Sequence, residues 1–309
     1  MTDMTQHEYD SLLALAKGLL DAAESSLPAV RAPEIPAVFD VRRPVAGGGG
    51  AGEAFPYRAV LFDVYGTLLS SLSGDIADAW TWQRGSLEAL ARECARNCTG
   101  EELKDYFSTA VKGEHLKGFA QTPYPEVRAE ELWEAFPARR EGCSPRELAL
   151  RFELAVNPVR PMPGLRRLLD RLKEAALSVG IISNAQFYTP ISMAAFDAAP
   201  DNFPFDAELC FWSFVHREAK PAPALFELAK AALSRRGIAS NECLFVGNDL
   251  LNDVYAARQM GFATALFAGD AASLRLREGN PVCRGVVPDL CLASLDELSA
   301  LLPLSQARA

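Results

Sequence analysis

The sequence has few positive charges, few histidines and no long hydrophobic run. Its 31 lysine and arginine residues are outnumbered by 40 acidic residues, which gives a formal net charge of -9, and it contains only 3 histidines. Contacts to a nucleic-acid backbone need clustered positive charge, so we expect no nucleic-acid partner. No apolar stretch reaches the ~18 residues of a membrane span. The first charge is Asp3, so a secretory signal with a basic start is not expected either. These absences predict a cytoplasmic protein without a membrane partner.

The cysteines do not form the pattern of a disulfide framework or of a zinc site. There are 7 of them, an odd number, and they are scattered along the chain. The closest pair, Cys94 and Cys98, has helical spacing rather than the spacing of zinc ligands. We therefore expect free thiols in a reducing cytoplasm, with Cys243 in the core because it lies in an apolar run.

The N-terminal part of the chain reads as a helix followed by a linker. Leu12, Leu15 and Leu19 recur at helical spacing within residues 5–24, and Pro28 would end that helix. The following stretch is rich in proline and glycine up to residue 56, including four consecutive glycines at 47–50. Residues 1–56 are thus predicted to be a helical extension with a linker. The helix either docks on the rest of the chain, which is the simpler interpretation, or takes part in a homodimer contact.

The remaining sequence divides into a helical block and an alternating block. Residues 76–152 contain helical patterns and no convincing strand. From residue 163 onward, helices (164–176, 222–235, 253–260) alternate with strands (178–182, 207–214, 243–246, 263–267). Such alternation implies right-handed crossovers and a parallel sheet, so the predicted fold class is α/β. The helical block is then an insertion after the first strand.

Four polar segments each follow a predicted strand. They are Asp63-Val64-Tyr65-Gly66-Thr67, Ser183-Asn184, Lys220-Pro221 and Gly247-Asn248-Asp249-Leu250-Leu251-Asn252-Asp253. Taken singly, each has a plainer interpretation as a helix cap, a turn or a solvated lysine. In a parallel sheet, however, the carboxyl ends of all strands lie at one edge, where ligand sites are built. The four segments together therefore predict a converging active site.

This set of motifs resembles the haloacid dehalogenase-like hydrolase superfamily over residues 58–300. The resemblance implies a Rossmann-like core (57–72 and 159–309) with an inserted helical cap (73–158). It also implies that Asp63 is the nucleophile, that Ser183 binds the transferring group and that Lys220 neutralises charge. The implied metal is Mg²⁺, held by Asp63, the backbone carbonyl of Tyr65, Asp249 and Asp253. Substrate contacts are expected at Tyr65, Gly66, Thr67 and Asn184.

Elementary chemistry supports these roles. A carboxylate such as Asp63 can form a covalent ester that water later cleaves, which splits one difficult step into two. Attack on an anionic phosphate needs positive charge nearby, and Lys220 together with a divalent ion in an oxygen-rich site would supply it. Gly66 would keep the turn after Asp63 open.

Two positions depart from the commonest pattern of the superfamily. Tyr65 stands where most of its phosphatases have a second aspartate that serves as general acid and base, and Asn248 stands where many have an acid. A phenol with a pKa of ~10 is a poor exchange for that carboxylate, whereas a halide leaves without a proton. Three arginines, Arg84, Arg92 and Arg96, are equal candidates for the substrate-binding arginine of a dehalogenase.

Three functions therefore stay open. The first motif, Asp-x-Tyr-Gly-Thr, looks like that of the haloacid dehalogenases, whereas the acid-rich fourth motif, with Asp249 and Asp253, is closer to the metal-binding form of the phosphatases. The sequence therefore places Mg²⁺-assisted hydrolysis of a small phosphorylated, anionic metabolite ahead of 2-haloacid dehalogenation by a small margin. The third alternative is a binding or scaffold protein whose site has decayed. Retention of Asp63, Ser183, Lys220 and Asp253 argues against that decay.

Overall fold

A computed structural model describes residues 4–25, 27–36, 39, 55–71, 84–200, 202 and 204–303. In chain order, its strands are β1 (Ala59–Phe62), β2 (Leu69–Ser71), β3 (Val159–Pro161), β4 (Ser178–Ser183), β5 (Cys210–Trp212), β6 (Cys243–Gly247), β7 (Ala263–Phe267) and β8 (Leu290–Leu292). Six of them form a sheet in the order β5-β4-β1-β6-β7-β8, and every neighbouring pair is parallel. The predicted α/β fold with a Rossmann-like parallel sheet is confirmed.

The central strands β1 and β6 are buried along their whole length. Helices cover both faces of the sheet, so these strands read as continuous apolar runs rather than as alternating patterns. The two strands are neighbours, with Phe62 opposite Val246. This pairing brings the segments that follow β1 and β6 to the same edge of the sheet.

Helices surround the sheet and also form the inserted region. The α-helices are Gln6–Glu24, Arg84–Cys94, Gly100–Gly118, Ala129–Glu134, Pro145–Val156, Leu165–Glu174, Tyr188–Ala195, Ser213–His216, Ala224–Arg235, Ala256–Gln259 and Leu295–Leu301. A π-helical segment, Leu250–Tyr255, precedes Ala256–Gln259 directly. None of the helices in the described parts of the chain has the length and apolar character of a membrane span.

The inserted helices lie between β2 and β3. These two strands pair antiparallel, with Leu69 opposite Pro161, so the chain leaves the core and returns to it side by side. The helix Gly100–Gly118 begins with a capping box between Thr99 and Glu102, and Pro145–Val156 begins with a Ser144 cap and a proline in its first turn. Among the described residues 84–156, the regular elements are four helices joined by loops, as the sequence predicted. The cap boundaries 73–158 stay a prediction.

The N-terminal helix, Gln6–Glu24, packs against two helices from different parts of the fold. Its buried side chains are Leu12, Ala16 and Leu20, which share one face at intervals of four residues. That face lies against Pro145–Val156 of the inserted region and against Tyr188–Ala195 of the core. The helix thus docks on the body of its own chain. Much of the predicted linker, including the four glycines at 47–50, lies outside the described residues.

Some element predictions were wrong in extent. Residues 207–214 were predicted as one strand, but β5 has only three residues, between a 3-10 turn (Ala207–Leu209) and the short helix Ser213–His216. The Asp206 side chain accepts a hydrogen bond from the Glu208 backbone N–H (3.0 Å), which closes that turn. The helical structure predicted from residue 253 begins at Leu250. Strand β8 and the helix Leu295–Leu301 were not predicted, because each is short.

Candidate active site

Three predicted catalytic side chains meet at the carboxyl edge of the sheet. Ser183 Oγ donates a hydrogen bond to Asp63 Oδ1 (2.9 Å), and Lys220 Nζ donates to the same oxygen (2.9 Å). Asp63 follows β1, Ser183 ends the neighbouring β4, and Lys220 follows β5 and Ser213–His216. Residues 120 and 157 positions away in sequence therefore contact Asp63, as the strand order requires.

Asp63 is held in one orientation at the mouth of a cavity. Its backbone N–H donates to Val246 O (2.9 Å), which continues the β1–β6 ladder by one residue. The residue is only 8% exposed, and it lines a cavity of about 320 Å³. Both side-chain hydrogen bonds fall on Oδ1. Oδ2 is accordingly the candidate oxygen for nucleophilic attack.

Lys220 links two carboxylates. Its ammonium group donates to Asp63 Oδ1 (2.9 Å), Asp253 Oδ1 (2.6 Å) and the backbone carbonyl of Ile182 (3.0 Å). Burial alone would lower the pKa of this lysine, but the charges of Asp253 and Asp63 raise it above the ordinary value. Lys220 therefore carries its positive charge at neutral pH, directly beside the candidate nucleophile.

Asn184, which was predicted to contact substrate, holds the backbone of Lys220. Its Nδ2 donates to Lys220 O (3.0 Å), and its Oδ1 accepts from Lys220 N–H (2.7 Å). Such a pair of bonds fixes the loop that carries the lysine. Asn184 also lines the cavity. Its contact with Lys220 is therefore compatible with the predicted contact to substrate.

The turn after Asp63 depends on Gly66. Its φ of +80° is unfavourable for other residues, and an added Cβ would lie 2.4 Å from Asn248 Nδ2 and 2.7 Å from Ser273 Cβ. Thr67 is fully buried, and its Oγ1 donates to Asn248 Oδ1 (3.4 Å). Neither Gly66 nor Thr67 is among the described residues that line the cavity. Their evident role in the structure is to shape the turn, and their predicted substrate contacts stay a prediction.

Tyr65 lines the cavity and points its hydroxyl at Thr189. The distance between the Tyr65 hydroxyl and Thr189 Oγ1 is 2.9 Å. Burial, reinforced by the charge of Glu153, raises the pKa of Tyr65 well above its ordinary value of 10.0. The phenol stays protonated at physiological pH. It therefore cannot serve as a general base in the way a carboxylate at this position would.

The two acids of the fourth motif have different surroundings. Asp253 Oδ1 accepts from Lys220, and its Oδ2 accepts from the Asp249 backbone N–H (2.9 Å). Burial raises the pKa of Asp253, against the lowering effect of Lys220. The Asp249 carboxylate caps the π-helical segment through Leu251 N–H (2.9 Å), and it is paired with Arg277 Nη2 (2.5 Å). Asp249 is thus turned toward an arginine rather than toward Asp63.

The donor set fits Mg²⁺ only in part. Asp63 and Asp253 share Lys220, and Mg²⁺ in proteins often needs no more than one or two carboxylates, with water and a substrate phosphate completing the shell. Asp249, in contrast, does not complete a cluster. Among the described residues, the one group of three His, Cys, Asp or Glu ligand atoms within 4.8 Å of each other is Cys94, Cys143 and Glu147, in the inserted region. Of the predicted side-chain ligands, Asp63 and Asp253 therefore fit Mg²⁺, and the contact from the Tyr65 carbonyl stays a prediction.

The cavity is also lined by four charged residues that were not predicted from the sequence. Glu126 and Glu153 come from the inserted region, and Arg275 and Arg277 come from the loop after β7. The acids gave no sequence signal, because spacing does not show how cap side chains are oriented. The two arginines alternate with leucines at 274 and 276, a pattern that places both on one side of an extended chain.

Two of the three arginines proposed from the sequence, Arg92 and Arg96, are not among the described residues that line this cavity. Arg92 is exposed, and Arg96 pairs with Glu141 at 3.6 Å on the surface. The side chain of Arg84 lies outside the described residues. Among the described residues, Arg275 and Arg277 are the arginines that line the cavity.

Comparison with known proteins agrees with this geometry. The family model for haloacid dehalogenase-like hydrolases matches residues 57–261. The fold is similar to that of a HAD phosphatase from Thermococcus onnurineus, with a TM-score of 0.51, 19% identity, and coverage of 79% of this chain and 97% of that chain. It is also similar to a 2-haloacid dehalogenase from Pseudomonas syringae pv. Tomato, with a TM-score of 0.50, 19% identity, and coverage of 79% and 97%. No curated protein matches the chain.

The parallel sheet and the family match define the class, and the candidate nucleophile Asp63 lies at the carboxyl edge of that sheet. This chain belongs to the haloacid dehalogenase-like hydrolase family and is a hydrolase. The similar structures include both a phosphatase and a dehalogenase. At this identity they share the fold, so the choice between the two reactions depends on the site.

Proposed function

We propose that this hydrolase cleaves a small phosphomonoester through a covalent ester on Asp63. The observation that supports this choice most is the polarity of the cavity. Among the described lining residues, every side chain except that of Ala185 carries a polar atom. Lys220, Arg275 and Arg277 add three positive charges to the same wall. A phosphate offers more oxygens to this lining than the single carboxylate of a 2-haloacid does.

The chain's own residues supply most of the reaction. Asp63 Oδ2 attacks phosphorus, the bond from phosphorus to the alcohol oxygen breaks, and the alcohol leaves with a proton from solvent. Lys220 holds Asp63 Oδ1 and offsets the negative charge between the carboxylate and the phosphate. Water then attacks the phosphoaspartate, which releases inorganic phosphate and restores Asp63.

Mg²⁺ is the proposed cofactor. Asp63, the backbone carbonyl of Tyr65 and Asp253 would hold it, and when bound it would supply further positive charge beside the phosphate oxygens. The ion pairs in the cavity wall support a requirement for the additional positive charge of Mg²⁺. Asp249 and Asp253 partly offset Arg277 and Lys220, so a phosphate dianion meets less free positive charge than the number of cations suggests.

Hydrolysis of a 2-haloacid is the second candidate, and Tyr65 is the observation that favours it. A phenol stands here in place of a carboxylic acid, and because burial raises its pKa further it is a poor donor of a proton to a leaving alcohol. A halide leaves as an anion and needs no such proton.

We also infer a cytoplasmic location for the enzyme. Cys243 in β6 and Cys94 in the inserted region are buried free thiols, which supports a reducing compartment. A homodimer is a further proposal that oligomeric-state measurements would test.

The choice of leaving group and the requirement for Mg²⁺ distinguish the two reactions experimentally. We expect hydrolysis of 4-nitrophenyl phosphate, whose good leaving group needs no acid, to require Mg²⁺ and to stop in EDTA. We expect no chloride release from 2-chloropropionate with or without EDTA. Chloride release in EDTA, without phosphatase activity, would replace the phosphatase proposal by the dehalogenase one.

A further inference from the structure

The inserted region contributes two carboxyl groups to the wall of the active-site cavity, Glu153, which is buried, and Glu126, which is partly buried. Glu153 lies on the helix Pro145–Val156, and Glu126 lies in the segment before Ala129–Glu134. Both line the cavity that contains Asp63. The mechanism above gives neither of them a role.

Glu153 is held in place by neutral partners. Asn157 Nδ2 donates to its Oε1 (3.0 Å), and the Tyr188 hydroxyl donates to its Oε2 (2.9 Å). The residue is 4% exposed. One donor on each oxygen fixes the plane of the carboxyl group. Neither of these two donors carries a positive charge.

Glu126 also has neutral hydrogen-bond partners, although the positive charge of Arg217 acts on it and works against the effect of burial. Its Oε1 accepts from Val127 N–H (2.9 Å) and Gln186 Nε2 (3.1 Å), and its Oε2 accepts from Ser213 Oγ (2.7 Å). Burial raises the pKa of both Glu126 and Glu153. The shift reflects the cost of keeping a carboxylate charged in a largely desolvated position where the hydrogen-bond partners are neutral.

A ligand cation would remove that cost. A carboxylate that is already oriented by hydrogen bonds can accept an ammonium group without further ordering, and a charge-assisted hydrogen bond is about twice as strong as a neutral one. At the same time, Lys220, Arg275 and Arg277 make another part of the wall attractive to an anion. The cavity thus offers sites for opposite charges within about 320 Å³.

We propose that the substrate is a small phosphomonoester whose alcohol carries a primary ammonium group, and that Glu153 is the residue that selects it. This inference rests on the proposed phosphatase function, with the phosphate beside Asp63 and the ammonium group beside Glu153. Glu126 lines the same wall and adds negative charge there. A polyhydroxylated alcohol is the competing ligand, because hydroxyl groups also bond to carboxylates, but it would leave the buried charge unpaired.

The test uses competition, so that it does not depend on how fast an alkyl phosphate is cleaved. Aminoalkyl phosphates with two, three and four carbons are compared with hydroxyalkyl phosphates of equal length, as inhibitors of 4-nitrophenyl phosphate hydrolysis. For at least one length we expect the amine to bind about 10-fold more tightly or better. Glu153→Gln keeps the shape but loses the charge, and should bring this ratio close to one.

Glu134→Gln is the matched control, because it removes an exposed carboxylate on a helix of the same inserted region. It should leave the ratio unchanged. Hydrolysis of 4-nitrophenyl phosphate with no preference for the amine at any length would overturn this inference and leave the phosphatase proposal standing. A ratio that survives Glu153→Gln would remove Glu153 from the role. If that variant does not fold, the binding ratios of the wild-type protein decide whether the ammonium group is preferred. Absence of all phosphatase activity would reject both proposals.

Discussion

Asp63 is oriented by donors that come from distant parts of the chain. Ser183 and Lys220 both bond to its Oδ1, so the carboxylate cannot rotate freely. Positioning of this kind is what makes an ordinary carboxylate an effective nucleophile, because the attacking atom is held in line before the substrate arrives.

We expect Asp63→Asn to abolish turnover while preserving the fold. An amide keeps the shape and the hydrogen-bond acceptor at Oδ1, but it is not a nucleophile, so the rate should fall by at least ~10³-fold. Rates with 4-nitrophenyl phosphate and thermal melting curves are the measurements. Asp170→Asn, on the half-exposed face of the helix Leu165–Glu174, should behave like wild type. A variant at position 63 with normal rate would exclude Asp63 as the nucleophile.

Replacement of Tyr65 tests which leaving groups the site accepts. We expect Tyr65→Asp to raise kcat/KM for an alkyl phosphate by about 10- to 100-fold, because a carboxyl group at this position can protonate the leaving alcohol. Hydrolysis of 4-nitrophenyl phosphate should change little. Tyr65→Phe removes the bond to Thr189 without adding an acid, so it should give no gain. An equal gain in both variants would mean that the missing acid is not the limitation.

At the scale of elements, the N-terminal helix joins the two parts of the molecule. It packs on a helix of the inserted region and on a helix of the core, and Glu8 pairs with Arg146 at 3.0 Å. The chain that follows it stays close to the core, since Arg31 O accepts from Ala271 N–H (2.7 Å). An extension that the family motifs do not include is thus integrated into the fold.

We expect Leu12→Ala to lower the free energy of unfolding by roughly 2–5 kcal/mol. Leu12 is 4% exposed within this contact, and removing a buried leucine side chain costs its transfer free energy plus that of the cavity left behind. Chemical denaturation measures the change. Lys17→Ala, on the exposed face of the same helix, should stay within about 0.5 kcal/mol of wild type. Equal stability of both variants would show that the helix does not dock in solution.

For the whole molecule, buried acids make stability depend on pH. Because burial raises the pKa of Glu126 and Glu153 above 4.5, the folded state holds their protons more tightly than the unfolded state does. Stability from these groups is therefore present at low pH and is lost as pH rises from about 4.5 through their folded pKa values. His115 and His216, whose pKa values burial lowers, act in the opposite direction.

Comparison with Glu153→Gln separates the contribution of Glu153 to the pH dependence of stability from that of the histidines. We expect wild-type protein without ligand to lose stability relative to Glu153→Gln as pH is raised from 5.5 to 7.5, with a slope of up to about 1.4 kcal/mol per pH unit. Denaturant unfolding at several pH values measures this difference. Parallel pH profiles for the two proteins would mean that Glu153 titrates as it does in water.

Much of this architecture follows from local sequence patterns. Apolar runs such as Ala263–Phe267 and the helical periodicity of residues 222–235 are set by neighbouring residues, so the parallel sheet and the order of the motifs could be predicted. The extent of β5 was mispredicted, because the Asp206 turn and the short helix after it compete with strand propensity over only a few residues.

The sequence alone determined that Asp63, Ser183 and Lys220 would meet, since a parallel sheet gathers the carboxyl ends of its strands at one edge. Only the tertiary structure decided that Asp249 turns to Arg277, that Asn184 holds Lys220, and that Glu126 and Glu153 enter the cavity. These contacts depend on how loops and inserted helices pack across long sequence separations. The spacing of residues determines on which element and near which strand end a side chain lies. Tertiary packing determines which other side chains it contacts.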